Sequence, residues 1–101
     1  MDTTEERANA FLEEGYRDLT TIVFGIQKED ADAILRAAQH LASNSSRIGA
    51  EPLARAAREL IALTRDPRTA LDAALPSVAR AFAEVESEIR GALDRDVPLF
   101  I

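Results

Sequence analysis

Ile34, Ala38, Leu41, Ser45 and Ile48 recur in steps of four, three, four and three residues. That spacing lines five side chains along one face of an α-helix and scatters them over both faces of a strand. Gly49 follows at once and is a good helix terminator. Pro52 comes next, and in the first turn of a new helix its missing N–H costs nothing. The centre of the chain is therefore constrained to a helical hairpin, with residues 30–47 as one arm and a second arm starting near residue 50. Ile34, Ala37, Ala38, Leu41 and Ile48 are the apolar positions of the first arm. Leu53, Ala56, Ala57, Leu60, Ile61 and Leu63 form the stripe of the second, which ends in "TRDP".

The same period runs through both flanks. Phe11, Leu12, Leu19, Ile22, Val23 and Ile26 predict a helix over about residues 4–27. Thr3 or Thr4 can cap it, and Glu5 and Glu6 sit well against its dipole. Gly15 weakens this stretch, so it can break into two pieces with a short extra N-terminal helix. "QKED" makes the turn to the next helix, and Tyr16 is expected to be half-buried in the core. A last helix is expected after Asp66, a cap followed by Pro67 at the first helical position. Its core face reads Leu71, Leu75, Val78, Phe82, Val85, Ile89 and Leu93. Pro76 predicts a kink or short break near Ala74–Leu75. No sustained alternation of β-branched residues marks a strand. The expectation is an all-α fold: an antiparallel four-helix bundle, one domain over residues 1–101. Residues 96–101 form an apolar tail in which "VPLFI" cannot stay helical through Pro98.

The charge balance narrows the partners. The chain carries 18 acidic against 12 basic residues, a net charge of −6. That opposes nucleic acid, which demands a basic footprint. The basic residues are unevenly spread. Residues 1–33 hold nine acids and three bases, and residues 66–101 hold seven acids and four bases. Residues 34–65 hold two acids and five arginines, a local excess of +3 that suits an acidic partner. No cysteine is present and no apolar run approaches the roughly 20 residues that span a bilayer. With a polar, acidic start, "MDTTEERANA", the expected location is the cytoplasm.

The hairpin resembles the signature of the histidine phosphotransfer (HPt) domains of bacterial phosphorelays. That signature has an acidic turn, then a helix with Ala-Ala-His-x-Leu-Lys-Gly-small-Ser. An apolar-Gly-Ala corner leads to a second helix rich in Leu, Ala, Arg and Glu. Here Asp30 stands in the turn, "ILRAA" and Leu41 in the first helix, and "SS", Ile48, Gly49 and Ala50 at the corner. "LARAARELIAL" matches the second helix, "AFLEEGYRDL" the helix before the hairpin, and residues up to 93 the last. The resemblance covers roughly residues 8–93 and implies the four-helix bundle. It also implies docking to a receiver domain of a response regulator or hybrid histidine kinase, whose aspartate exchanges a phosphoryl group with the histidine.

The functional positions depart from that pattern. Counting back ten residues from Gly49, the phosphoacceptor position falls on Gln39; Ala42 stands where the family has Lys and Ser43 where it has Gly. An amide nitrogen is not nucleophilic, because its lone pair is delocalised, so Gln39 can hydrogen-bond but not carry phosphate. His40, the single histidine, is one residue on and points about 100° away. It shares a helical stripe with Arg36, Asn44 and Arg47, which is positive enough to tolerate a phosphoryl group. Three readings of His40 stay open: a partly solvated surface residue without chemical role, an interface residue, or a phosphoacceptor in a rotated docking mode. A metal site is not expected, since one histidine and no cysteine cannot supply one.

Leu35, Gln39, Ala42, Ser43 and Ser46 fall on one side of the helix and are expected to form a flat patch of small residues with an apolar edge. With Arg36, His40 and Arg47 they make the expected partner-binding face. No glycine-rich phosphate loop, Ser/His/acid arrangement, carboxylate–histidine set or cofactor motif is legible. The leading expectation is thus not an enzyme and needs no cofactor: a pseudo-phosphotransfer protein that binds a receiver and modulates the relay without carrying phosphate. One alternative is an active phosphotransferase using His40. Another is a helical interaction or oligomerisation protein outside phosphorelays, supported by "VPLFI" and the alanine-rich surfaces.

Overall fold

The computed structural model of the chain describes residues 4–64 and 68–95, and among these all regular structure is helical. The order is α1 (Thr4–Lys28), α2 (Ala31–Arg47), α3 (Glu51–Ala62) and α4 (Arg68–Arg95). The expected caps at Thr3, Asp66 and Pro67 and the tail after Arg95 lie outside the described residues.

The first two corners are built alike. After α1, the Glu29 N–H donates to the Ile26 carbonyl and the Asp30 N–H to the Gly25 carbonyl. After α2, Gly49 donates to Ser46 and Ala50 to Ser45. These paired reverse bonds satisfy carbonyls that a helix end would otherwise leave open. Each needs a left-handed residue: Gly49 has φ 82°, and Glu29 adopts φ 56° despite its side chain. Asp30 then caps α2, its carboxylate accepting from the Ala33 N–H at 3.1 Å. Pro52 sits in the first turn of α3, as its missing donor allows.

α1 packs on α2, α2 on α3, α3 on α4 and α4 on α1, closing a ring around one core. Ile22, Ile26, Ile34, Leu41, Leu53, Leu60, Val78 and Ile89 are sealed within it. Ser45 is buried too, and its Oγ donates to the Leu41 carbonyl at 2.6 Å. Along the seam of α1 and α2 the partners run in opposite numerical order. Glu14 meets Asn44, Asp18 meets His40, and Gly25 lies against Ile34.

Four local expectations are corrected. α1 is one unbroken helix, with no separate N-terminal piece among the described residues. Gly15 is not a hinge but a seat: the Phe82 ring occupies the space a Cβ would take. α4 runs through Pro76 without a break. Proline in a helix interior costs about 3 kcal/mol, but Leu71, Val78, Phe82 and Val85 are buried on both sides and hold the helix across it. Tyr16 is 45% exposed, not core: only its ring edge meets Phe82, 5.2 Å between centroids, while its hydroxyl donates to Glu86. That bond holds the Glu86 carboxyl below its usual range, with Arg90 adding to the effect, and raises the Tyr16 hydroxyl.

Replacing a helical glycine by alanine ordinarily stabilises by about 1 kcal/mol. At Gly15 the new Cβ would stand 2.3 Å from Phe82 Cε2. Overpacking costs about 1–3 kcal/mol and outweighs the propensity gain. Gly15→Ala is therefore expected to lower the unfolding free energy in a urea titration; an increase would show that the Phe82 ring moves freely.

Candidate functional site

Two shoulders of α2 reach solvent, and they have different neighbours. On one, Gln39, Ser43 and Ser46 are exposed. Ser46 Oγ accepts from Arg58 on α3 at 3.3 Å, and Arg58 also reaches Glu51 at 3.4 Å. The expected flat patch is narrower than its spacing implies. Leu35 is only half-exposed and Ala42 is buried. The reason is that α2 has α1 on one flank and α3 on the other, so its inward arc widens to take in Ala37, Ala38, Leu41, Ala42 and Ser45. Ala42 therefore drops out of the expected partner-binding face.

The other shoulder carries Arg36, His40, Asn44 and Arg47, and it borders α1. The His40 ring is 48% exposed, yet it is not a solitary surface group. Its Nδ1 lies 2.6 Å from Asp18 Oδ2, and its Nε2 lies 3.2 Å from Asn44 Nδ2. The same Asn44 nitrogen reaches Glu14 Oε2 at 3.5 Å. A carboxylate–histidine set thus exists, contrary to the sequence expectation. It was hidden because its members are 22 residues apart on different helices.

Hydrogen-bond roles follow from which atoms can donate. An ionised carboxylate only accepts, so Nδ1 carries the proton and donates it to Asp18. The Asn44 amide nitrogen only donates, so it points an N–H at the Nε2 lone pair. Both neighbours therefore favour one neutral tautomer, with Nδ1 protonated and Nε2 bare. A carboxylate on one ring nitrogen fixes the orientation of the ring and its tautomer. Asp18 itself is nearly inaccessible, at 9% exposure. Burial pushes its carboxyl above the ordinary 3.8, and the His40 hydrogen bond pulls in the opposite direction without cancelling the rise.

Asp18 is the residue that sequence reasoning missed, though a signal was present. It interrupts the stripe Phe11, Gly15, Ile22 and Ile26 at a core register. A carboxylate at such a position is rarely buried without a partner. Among the described residues, no group of three or more His, Cys, Asp or Glu is placed to hold a metal ion, and no helix is long and apolar enough to cross a membrane. No protein-family model, curated protein or solved structure matches the chain.

Removing His40 leaves burial as the main influence on Asp18. In His40→Ala the Asp18 carboxyl is expected to titrate higher than in the wild type, read from its side-chain carbon by NMR. The sign for stability follows. A carboxyl raised in the folded state favours folding at pH below its unfolded value, and that contribution is lost as pH climbs through the folded value. His40→Ala should therefore lose more stability than the wild type on going from pH 4 upward; a downward shift of Asp18 would contradict the pairing.

Proposed function

We propose that the chain is a phosphorelay module, an HPt-like antiparallel four-helix bundle of the cytoplasm that docks a receiver domain on the exposed shoulders of α2. We further propose that His40, not residue 39, is its phosphoryl-accepting group. One observation carries this reading: Asp18 holds His40 Nδ1 at 2.6 Å, which leaves Nε2 as the nucleophilic nitrogen of a half-exposed ring. The descending order of α2 partners along α1 is what antiparallel neighbours produce.

The chemistry is compact. The Nε2 lone pair attacks the phosphorus of an aspartyl phosphate on the receiver. A P–N bond forms as the P–O bond to the carboxylate breaks, and the carboxylate leaves with that electron pair. The imidazole ring becomes cationic while its Nδ1 proton stays in place, and Asp18 stabilises that charge at close range. Asn44 then donates its N–H to a phosphoryl oxygen instead of to Nε2. Arg36 and Arg47 lie one turn and two turns away on the same stripe and offset the incoming negative charge.

A second reading keeps the docking and drops the transfer. Its support is that Gln39 is exposed where the family has its acceptor, while the family's Lys position is filled by buried Ala42. Such a protein would occupy receivers and damp the relay. The reading as an oligomerisation protein leans on the alanine-rich surfaces and on residues 97–101, the latter outside the described residues.

The readings separate in one assay. The chain is incubated with aspartyl-phosphorylated receiver domains of the same organism, and acid-labile label is followed. Expected are label on the wild type and on Gln39→Ala, none on His40→Ala, and transfer slowed at least about tenfold by Asp18→Asn. Binding without label on any form would establish the non-carrying module. Label on His40→Ala would remove His40 from the chemistry, and absence of binding to every receiver would remove the phosphorelay reading altogether.

A further inference from the structure

A cleft of about 330 Å³ opens along the seam of α1 and α2, one helical turn beyond His40. Phe11 and Ile48 form its apolar floor. Arg7 from α1 and Arg47 from α2 stand at its walls, with Glu14 and Asn44 on the side toward His40. Arg7 and Arg47 have no ion pair with a described residue. The nearby carboxylate, Glu14, is turned to the Asn44 amide at 3.5 Å.

Two cations brought to one cleft from different helices repel each other, and among the described residues no carboxylate pairs with either one. The cost is small at a solvated surface, but it is recovered when an anion enters, because desolvation by the apolar floor strengthens each pairing. The floor adds a second requirement. Phe11 is already buried at 5% exposure, and the accessible apolar surface is that of half-buried Ile48, so an entering group gains by covering Ile48 with apolar atoms. A bare inorganic anion satisfies the arginines and leaves the floor wet. An acidic side chain next to an aromatic or aliphatic one satisfies both.

We infer that this cleft receives a protein segment in which a carboxylate adjoins an apolar side chain, presented by the partner that docks on α2. The inference deepens the docking reading by naming what the partner must present, and it does not require that His40 carry phosphate. Asn44 links the two sites. It donates toward Nε2 from one side and forms the cleft wall on the other. A carboxylate entering the cleft competes for the Asn44 N–H, and Nε2 loses its cover when the amide turns. Docking and exposure of the nucleophile are coupled through this one side chain.

The probe is a synthetic hexapeptide in the order Gly, Phe, Asp, Asp, Phe, Gly, titrated into the full chain while side-chain amide and arginine Nε–H resonances are followed by NMR. Controls replace both Asp by Asn, replace both Phe by Ala, or use inorganic phosphate alone. The acidic aromatic peptide is expected to bind and to shift the Asn44 amide. Each control peptide should bind at least about tenfold more weakly, the least expected from losing the charged contacts or the apolar contacts. Arg7→Glu and Arg47→Glu, both at exposed positions, should each weaken binding by a similar factor while circular dichroism stays unchanged. Failure of the peptide to bind, equal binding of the Asn form or of the Ala form, or indifference to both charge reversals would overturn the inference. A response to phosphate as strong as to the peptide would reduce the cleft to a simple anion site and would also overturn it. Peptide binding that persists in a chain unable to bind or dephosphorylate any receiver would refute the phosphorelay reading and leave the cleft assignment standing.

Discussion

The bond between Asp18 and His40 ties the first two helices together and decides what the surface of the molecule can do. A carboxylate is placed where a helix would normally bury Leu or Ile, and its desolvation is opposed by an imidazole from the neighbouring helix. Uncompensated burial of a charge is expensive. The histidine that relieves it remains half-exposed, so one ring nitrogen faces the interior while the other faces solvent and Asn44. The same contact relieves the buried carboxylate and fixes the exposed ring.

Neighbouring positions on α2 meet different surroundings. In the proposed HPt-like reading the acceptor register would fall on Gln39, and Gln39 stands on the shoulder of α2 that borders α3. His40 stands on the shoulder that borders α1, where the carboxylate is. A one-residue shift along a helix is a rotation of about 100°. It exchanges one neighbouring helix for the other and with it the set of polar partners. A partner that reached His40 would approach over the α1–α2 seam, the same seam that opens into the arginine cleft.

Much of the architecture was legible because helix ends and stripes are local. Asp30, Gly49 and Pro52 mark their turns through capping, positive φ and a missing donor, each visible within a few residues. Ile34, Leu41, Leu53 and Leu60 announce their burial through spacing alone. Pro76 misled because local propensity says nothing about the packing that holds α4 on both sides of it. Ala42 misled because spacing gives the direction of a side chain but not how wide an arc the neighbours cover. Asp18 and His40 were illegible as a pair because periodicity assigns each to a face and leaves open which faces meet. The charged residue within an apolar stripe was the available clue.

Ring-nitrogen NMR of the ¹⁵N-labelled chain reads directly the protonation pattern that Asp18 imposes on His40. At a pH where the ring is neutral, Nδ1 should carry the proton and Nε2 should show the shift of a bare nitrogen. In Asp18→Asn that preference should weaken toward the averaged pattern of a free imidazole. A ring protonated at Nε2 in the wild type, or an averaged pattern that Asp18→Asn leaves unchanged, would contradict the account.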